Sequence, residues 1–232
     1  MQQKDKSLTT GLHGVDHRVK HGVLIHINTM SSDIYKTIKS PAEGIFRDRG
    51  SRFLAFGFPI TDQDQVKPIL DELRKEHHDA RHHCFAYMIG NARTMFRSSD
   101  DGEPSGTGGR PILGQINSFG LTNILIVVVR YFGGTLLGVS GLINAYRSAA
   151  ESAIQNSEII ECTLKEYYEI KYPYDSMNAV MKILKEEEIS QSEQNFDTIC
   201  SIKISIRASA KEKVLKRLER VEMLEYRFIE TK

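Results

Sequence analysis

The richest titratable cluster of this chain is one short segment, His77–Cys84, which reads HHDARHHC. Paired histidines can ligate a metal or pass protons near neutral pH. His77 and His78, however, close a helical pattern, where the helix dipole favours an imidazolium without any chemistry. His82 and His83 enter a strand and point to opposite faces, so at most one joins a site. A metal site is therefore not expected here, and His13, His17, His21 and His26 nearer the start have no Cys or carboxylate framework around them to suggest zinc. No metal and no cofactor are expected.

Two glycine-rich loops offer a different chemistry. Asp101–Pro111 (DGEPSGTGGRP) has the turn-forming residues of a long surface loop, which its composition alone favours, or of a loop that exposes backbone N–H groups as an anion-binding nest, with Arg110 beside it. The acidic Asp100, Asp101 and Glu103 oppose an anion there, or would suit a divalent cation. Gly133–Leu142 (GGTLLGVSGL) joins a buried strand to a helix, and phosphates are often held at helix N-termini. It is not a P-loop, because Val139 and Ser140 follow Gly138 where Lys and Ser or Thr are required, and it is not GxGxxG. Gly133, Gly134 and Gly138 are candidate anion contacts, with close backbone packing of the turn as the competing explanation. Between the loops, Arg130, Tyr131 and Phe132 end the strand, and a charge at the end of a buried strand needs a reason.

Nucleophile chemistry has thin support. There is no GxSxG elbow, and Cys84 beside His83 is only a sequence neighbour. An enzyme would draw on Ser105 or Thr107 with His82 and Asp101. The alternative function is thus a small hydrolase or peptidase-like enzyme using His82, Asp101 and Glu103, provided that they converge in a pocket. Near the end of the chain, Lys211, Lys213, Lys216, Arg217 and Arg220 stand against Glu212 and Glu219, five positive charges less two negative, or +3. Such a run is usually a solvated helix face, but it could also track a phosphate backbone. No aromatic RNP-type motif accompanies it, so base-specific readout has no support.

These residues must be positioned by a recognisable series of elements. Asn123–Val129 carries six aliphatic residues in a row from Ile124, a strand buried on both faces. Before it, Tyr35–Ser40, Gly44–Arg49, Arg52–Pro59 and Cys84–Ile89 read as strands. A helix capped by Thr61 or Asp62 runs to about His77, with Pro68 placed awkwardly inside it. A short helix follows the first glycine loop, and Leu142–Ile154 continues the helix after the second. The last glycine is Gly141, and around Glu158 the composition changes. Beyond it come strand Thr163–Tyr172, helix Asp175–Glu187, strands Gln191–Phe196 and Ser201–Ala208, helix Ala210–Val221 and strand Met223–Ile229. That βαββαβ order is the split-βαβ, ferredoxin-like arrangement.

The 232 residues suffice for one large or two ordinary domains, and 40% hydrophobic with 26% charged residues fits a globular protein. A net charge of +1 supplies no global field, so any nucleic-acid contact must come from a local patch. No apolar run approaches a membrane span and no signal peptide is visible. Three cysteines without CxxC spacing read as reduced thiols, and the simplest compartment is the cytoplasm. Residues 1–29 read as a loosely ordered leader, and Met30 before Ser-Ser-Asp makes a natural start.

RFLAFGFPI, LRKEHHDARHHCFAY, SSDDGEPSGTGGRPIL and GLTNILIVVVRYFGGTLLGVSGLINAYRSAA together resemble the IMPACT family in its two-domain bacterial form, from about Tyr35 to Ile154. The resemblance implies an α+β protein. Its first domain, 30–156, would share a βαβ-rich fold with a small-subunit ribosomal protein and elongation factor G. A ferredoxin-like domain, 157–232, would follow, similar to the last domain of elongation factor G. Eukaryotic members regulate translation under stress with an extra N-terminal interaction domain, which has no counterpart here. What carries over is a link to translation. No catalytic residues are transferred, although His82, His83, Asp101, Glu103, Arg110, Arg130 and Tyr131 match the family pattern. The resulting expectation is a non-catalytic, translation-associated regulator that binds RNA, the ribosome or translation-factor surfaces. Phosphates would contact Arg110, Arg130, Tyr131, Gly133, Gly134 and Gly138, together with Lys213, Lys216, Arg217 and Arg220.

Overall fold

Six consecutive aliphatic residues stay out of water only when both faces of their strand are covered, and the first sheet is built around that requirement. A computed structural model describes residues 33–232; the expectations for 1–29 lie outside the described residues. The chain opens with β1 (Ile34–Ile38), β2 (Ala42–Asp48), β3 (Ser51–Pro59), α1 (Val66–Glu76), β4 (His82–Ile89) and β5 (Met95–Ser99). It continues through α2 (Gly109–Ser118), β6 (Ile124–Tyr131) and α3 (Gly138–Gln155). The sheet order is β2-β3-β6-β4-β5 and every neighbouring pair is antiparallel. On one face Ile124, Ile126 and Val128 pack with Ile112 and Ile116 of α2 and with Tyr146 and the alanines of α3. On the other, Leu125, Val127 and Val129 pack with Val66, Leu70 and Leu73 of α1. The sheet is α+β and antiparallel, yet its middle strand is as apolar as a parallel one because helices cover both sides.

The rest of the chain forms β7 (Ile159–Thr163), β8 (Lys165–Pro173), α4 (Met177–Glu186), β9 (Ser190–Asn195), β10 (Ile199–Arg207), α5 (Lys211–Leu218) and β11 (Glu225–Thr231). From β8 onward the order is βαββαβ, in an antiparallel sheet β11-β8-β10-β9. Its own core sets Ile202, Ile204 and Ile206 against Val180, Leu184, Val214 and Leu218. β7 pairs instead with β1, as a separate two-stranded ribbon. Asp33 ties that ribbon to the second sheet: Arg207 donates two hydrogen bonds to its carboxylate at 3.0 and 3.1 Å and Ser209 a third at 2.7 Å.

Several local expectations need adjustment. No strand is expected between Ile89 and the first glycine loop, yet Met95–Ser99 forms the edge strand β5, whose mostly exposed residues give no apolar alternation. The long strand expected from Thr163 begins at Lys165, because the residues before it pair with β1. The last strand lies two residues later than expected, and α3 starts at Gly138, before Leu142. Pro68 does not kink α1: the helix begins at Val66, so Pro68 lies in its first turn, where a missing N–H is harmless. Asp62 caps the single 3-10 turn, Gln63–Gln65, that leads into α1: its carboxylate accepts from Asp64 N at 2.8 Å, while Gln65 accepts from the Asp62 N–H at 2.9 Å.

α3 lies so close to β2 that a Cβ on Gly44 would stand 2.2 Å from the backbone nitrogen of Ala153. Alanine in a strand would ordinarily gain about 0.5–1 kcal/mol over glycine. Here overpacking costs about 1–3 kcal/mol or more, so the sign reverses. Gly44→Ala is expected to lower the urea midpoint with an unchanged slope; a stabilised variant would mean that α3 is not seated as described.

Candidate functional site

Arg130 stands near the end of β6, opposite Phe53 on β3 and His82 on β4. Its Nη1 donates to Glu103 Oε1 at 2.6 Å, and Tyr146 O–H donates to the same oxygen at 2.9 Å. Arg130 and Glu103 are each only 8% exposed. The guanidinium lies 5.5 Å from the ring centroids of both Phe53 and Phe132. Burial, with Cys84 and Glu103 alongside, pushes the Tyr146 phenol far up, so it stays a donor. The reason for a charge at the end of a buried strand is therefore internal. Arg130 joins β6, the first glycine loop and α3.

That loop does form a nest, and the chain fills it. The carboxylate of Asp100 accepts from the N–H groups of Gly106, Gly108 and Gly109 at 2.7, 2.9 and 2.8 Å. Burial pushes the Asp100 carboxyl up, but these three donors and Arg110 outweigh it and hold it below its ordinary value. The anion expected in the nest is thus Asp100 itself. Arg110 points to a separate shallow pocket that it shares with Gly106 and Arg147.

In the second loop, close packing accounts for Gly133. A Cβ there would stand 1.9 Å from the backbone carbon of Gly50, and Gly133 N–H donates to Ser51 Oγ at 3.1 Å. Gly134 and Gly138 adopt φ of +86° and +71°, the left-handed region that favours glycine, with open space around both.

His82, Asp101 and Glu103 come together without forming a catalytic set. His82 Nδ1 donates to the backbone oxygen of Asp101 at 2.9 Å, which leaves Nε2 as the acceptor of the neutral ring. The Asp101 carboxylate accepts from His83 N–H at 2.7 Å and pairs with Arg74 at 3.2 Å, while that of Glu103 is held by Arg130 and Tyr146. Neither carboxylate orients the His82 imidazole. His83, on the opposite face of β4, is buried. Thr107 Oγ1 is tied to Pro104 O at 2.6 Å, and Cys84 Sγ donates to Asp100 O at 2.9 Å with its thiol pushed up by burial. Among the described residues no group of three or more His, Cys, Asp or Glu could hold a metal ion, and no helix is long and apolar enough to cross a membrane.

What this end of the sheet exposes is a cavity of about 790 Å³, lined by Gly50, Arg52, Asp79, Arg81, His82, Arg130, Tyr131, Phe132 and Leu136. Tyr131 is fixed there by donating to Asp79 Oδ1 at 3.2 Å and by His77 Nδ1 at 2.9 Å, and the Arg52 guanidinium sits 4.9 Å from its ring centroid. Arg47 lies directly across from Arg52 in the hairpin, with Arg49 in the turn between them. Like charges facing each other across strands destabilise a sheet. Among the described residues, no carboxylate pairs with Arg47, Arg49, Arg52 or Arg81. These four were not singled out from the sequence, although RDRGSR (47–52), three arginines in six residues at a glycine turn, carries the signal.

The basic candidates lie on α5 or just after it, and the helix packs on the second sheet through Val214 and Leu218. Lys213 pairs with Glu187 at 2.7 Å and Arg217 with both Glu186 and Glu187. Lys216 and Arg220 have no carboxylate partner among the described residues. Lys211 pairs with Glu166 at 3.0 Å, so of the five cations counted in sequence two stay unpaired among the described residues, Lys216 on α5 and Arg220 just beyond it.

Removing one member of a buried ion pair strands the other, at about 3–5 kcal/mol. Glu103→Ala should lose that much in urea unfolding, and a Glu103→Leu/Arg130→Met double variant should recover most of it; a mild single variant would mean that the pair is solvated. Acid should act through two groups. Burial holds the His83 imidazole below its ordinary value, so the unfolded chain takes up a proton that the folded one refuses, and stability falls as pH drops below about 6.5. Asp100, held low, contributes stability above about pH 4 that is lost as pH falls through its folded value. The urea midpoint should decline in both windows, and His83→Leu should flatten the upper one only.

The family model for the Impact N-terminal domain matches residues 49–154, which include the whole cavity lining. IMPACT family member YigZ of Escherichia coli is 33% identical over 147 residues, 62% of this chain and 72% of its own length. IMPACT family member YvyE of Bacillus subtilis is 30% identical over 162 residues, 70% of this chain and 75% of its own. A crystal structure described as that of a hypothetical protein superposes with a TM-score of 0.62 at 27% identity, covering 85% of this chain and 98% of that one. With β3 to β6, both glycine loops and the Arg130–Tyr131 strand end inside the matched region, and with relatives 30–33% identical, the chain belongs to the IMPACT family.

Proposed function

We propose that this protein is a cytoplasmic, translation-associated regulator that works by binding, and that it docks RNA phosphates of the ribosome or its associated factors in the arginine-lined cavity. The observation that carries this reading is the set of guanidinium groups at one end of the first sheet, Arg47, Arg49, Arg52 and Arg81, none of them paired with a carboxylate among the described residues, with Arg52 and Arg81 lining the cavity. Arginine presents a planar fork that fits phosphate oxygens two at a time, and a local patch is what a chain of net charge +1 needs in order to hold nucleic acid. The link to translation comes from the family. The chain is read as two functional modules divided near residue 157, the second adding Lys216 and Arg220 as outlying phosphate contacts. Catalysis by His82 is the weaker reading, because both nearby carboxylates are engaged elsewhere.

Arg130 is a poor probe of this function, since its loss strands Glu103. Arg52→Ala and Arg81→Ala are the clean variants. Each should weaken binding to purified ribosomes and lower the slope of log affinity against log salt by about one. Affinity purification from native lysate should recover ribosomal proteins that disappear after ribonuclease treatment. Binding that ignores salt, or a partner retained after ribonuclease, would contradict the reading and favour a protein-interaction module.

A further inference from the structure

We propose that the cavity admits an unpaired nucleotide, its base against Phe132 and Leu136 and its phosphate on Arg52 and Arg81; this deepens the RNA reading above and rests on it. Arginines alone would serve any phosphate backbone. Phe132 and Leu136, however, are 56% and 81% exposed and line the same cavity, so the arginines share it with an aromatic ring and an aliphatic side chain open to a ligand. An A-form duplex keeps its base faces stacked inside and is read by shape and backbone contacts, so it has no use for an exposed ring. A splayed base does, because stacking on an aromatic side chain accepts any base.

Three further features fit. The cavity is concave and about 790 Å³, within the range of roughly 300–1,000 Å³ for small-molecule sites, which suits a single nucleotide better than a rod-like backbone. One guanidinium already lies over each aromatic ring, Arg52 on Tyr131 and Arg130 on Phe132, so planar groups are stacked at its edge. Asp79 lines the cavity too. A carboxylate works against a phosphate, but it accepts hydrogen bonds from the amino group of a base, as does the open Nε2 of His82.

The test uses the full chain and a short RNA carrying one 2-aminopurine, either single-stranded or annealed to its complement. The single strand should bind on the order of tenfold more tightly than the duplex, with a change in 2-aminopurine fluorescence. Phe132→Ala should weaken the single strand by on the order of tenfold while leaving duplex affinity and the salt slope unchanged. Arg52→Ala should weaken both forms. Equal binding of both RNAs, with Phe132→Ala silent and Arg52→Ala still weakening both, would overturn the nucleotide pocket but leave the phosphate-binding reading standing. Absence of binding to either RNA at low salt would overturn both.

Discussion

A buried ion pair holds the first sheet to its loops. Arg130 and Glu103 lie almost wholly out of water, and desolvation of that kind is tolerated only with good geometry and further hydrogen bonds. Tyr146 supplies one such bond and the flanking rings of Phe53 and Phe132 take the faces of the guanidinium. The pair fixes where the first glycine loop crosses the strand ends. The loop in turn fixes His82 through the Asp101 carbonyl and seats the start of α2 through Asp100. The interaction sets geometry more than it adds stability, because an apolar replacement of similar volume would hold the core but not the loop.

This arrangement separates two kinds of charge. Inward-facing donors are met by the chain's own carboxylates: Asp100 fills the backbone nest, Glu103 takes Arg130, and Asp101 takes the His83 N–H and Arg74. Among the described residues, the outward arginines of the β2–β3 hairpin and of the approach to β4 receive none. A chain with nearly balanced charges thereby concentrates unopposed cations at one end of one sheet. The basic face of α5 follows the opposite course, since Glu186 and Glu187 reach across to it.

Elements with strong local signals were legible in the sequence. The aliphatic run of β6, the helical spacing of α1 and α5 and the βαββαβ order each follow from side-chain period alone. β5 was not legible, because an exposed edge strand has no apolar face. The pairing of β1 with β7 was not either, because it joins residues more than a hundred apart. Arg130, Tyr131 and His82 were found, since each stands at the end of a recognisable strand. Arg52 on β3 and Arg81 just before β4 are far apart in sequence, and only the sheet register brings them to one cavity. The glycine loop was rightly read as a nest, but its occupant was the neighbouring Asp100, whose direction no sequence pattern reveals.

The central claim is that RNA meets this protein at the arginine-lined end of the first sheet. Ultraviolet crosslinking of the protein to RNA in living cells, with crosslinked peptides identified by mass spectrometry, tests it most directly. The account predicts crosslinks on the segments 47–52 and 131–136, with aromatic Tyr131 and Phe132 foremost. Crosslinks confined to α5 or to other surfaces, or none at all, would contradict it.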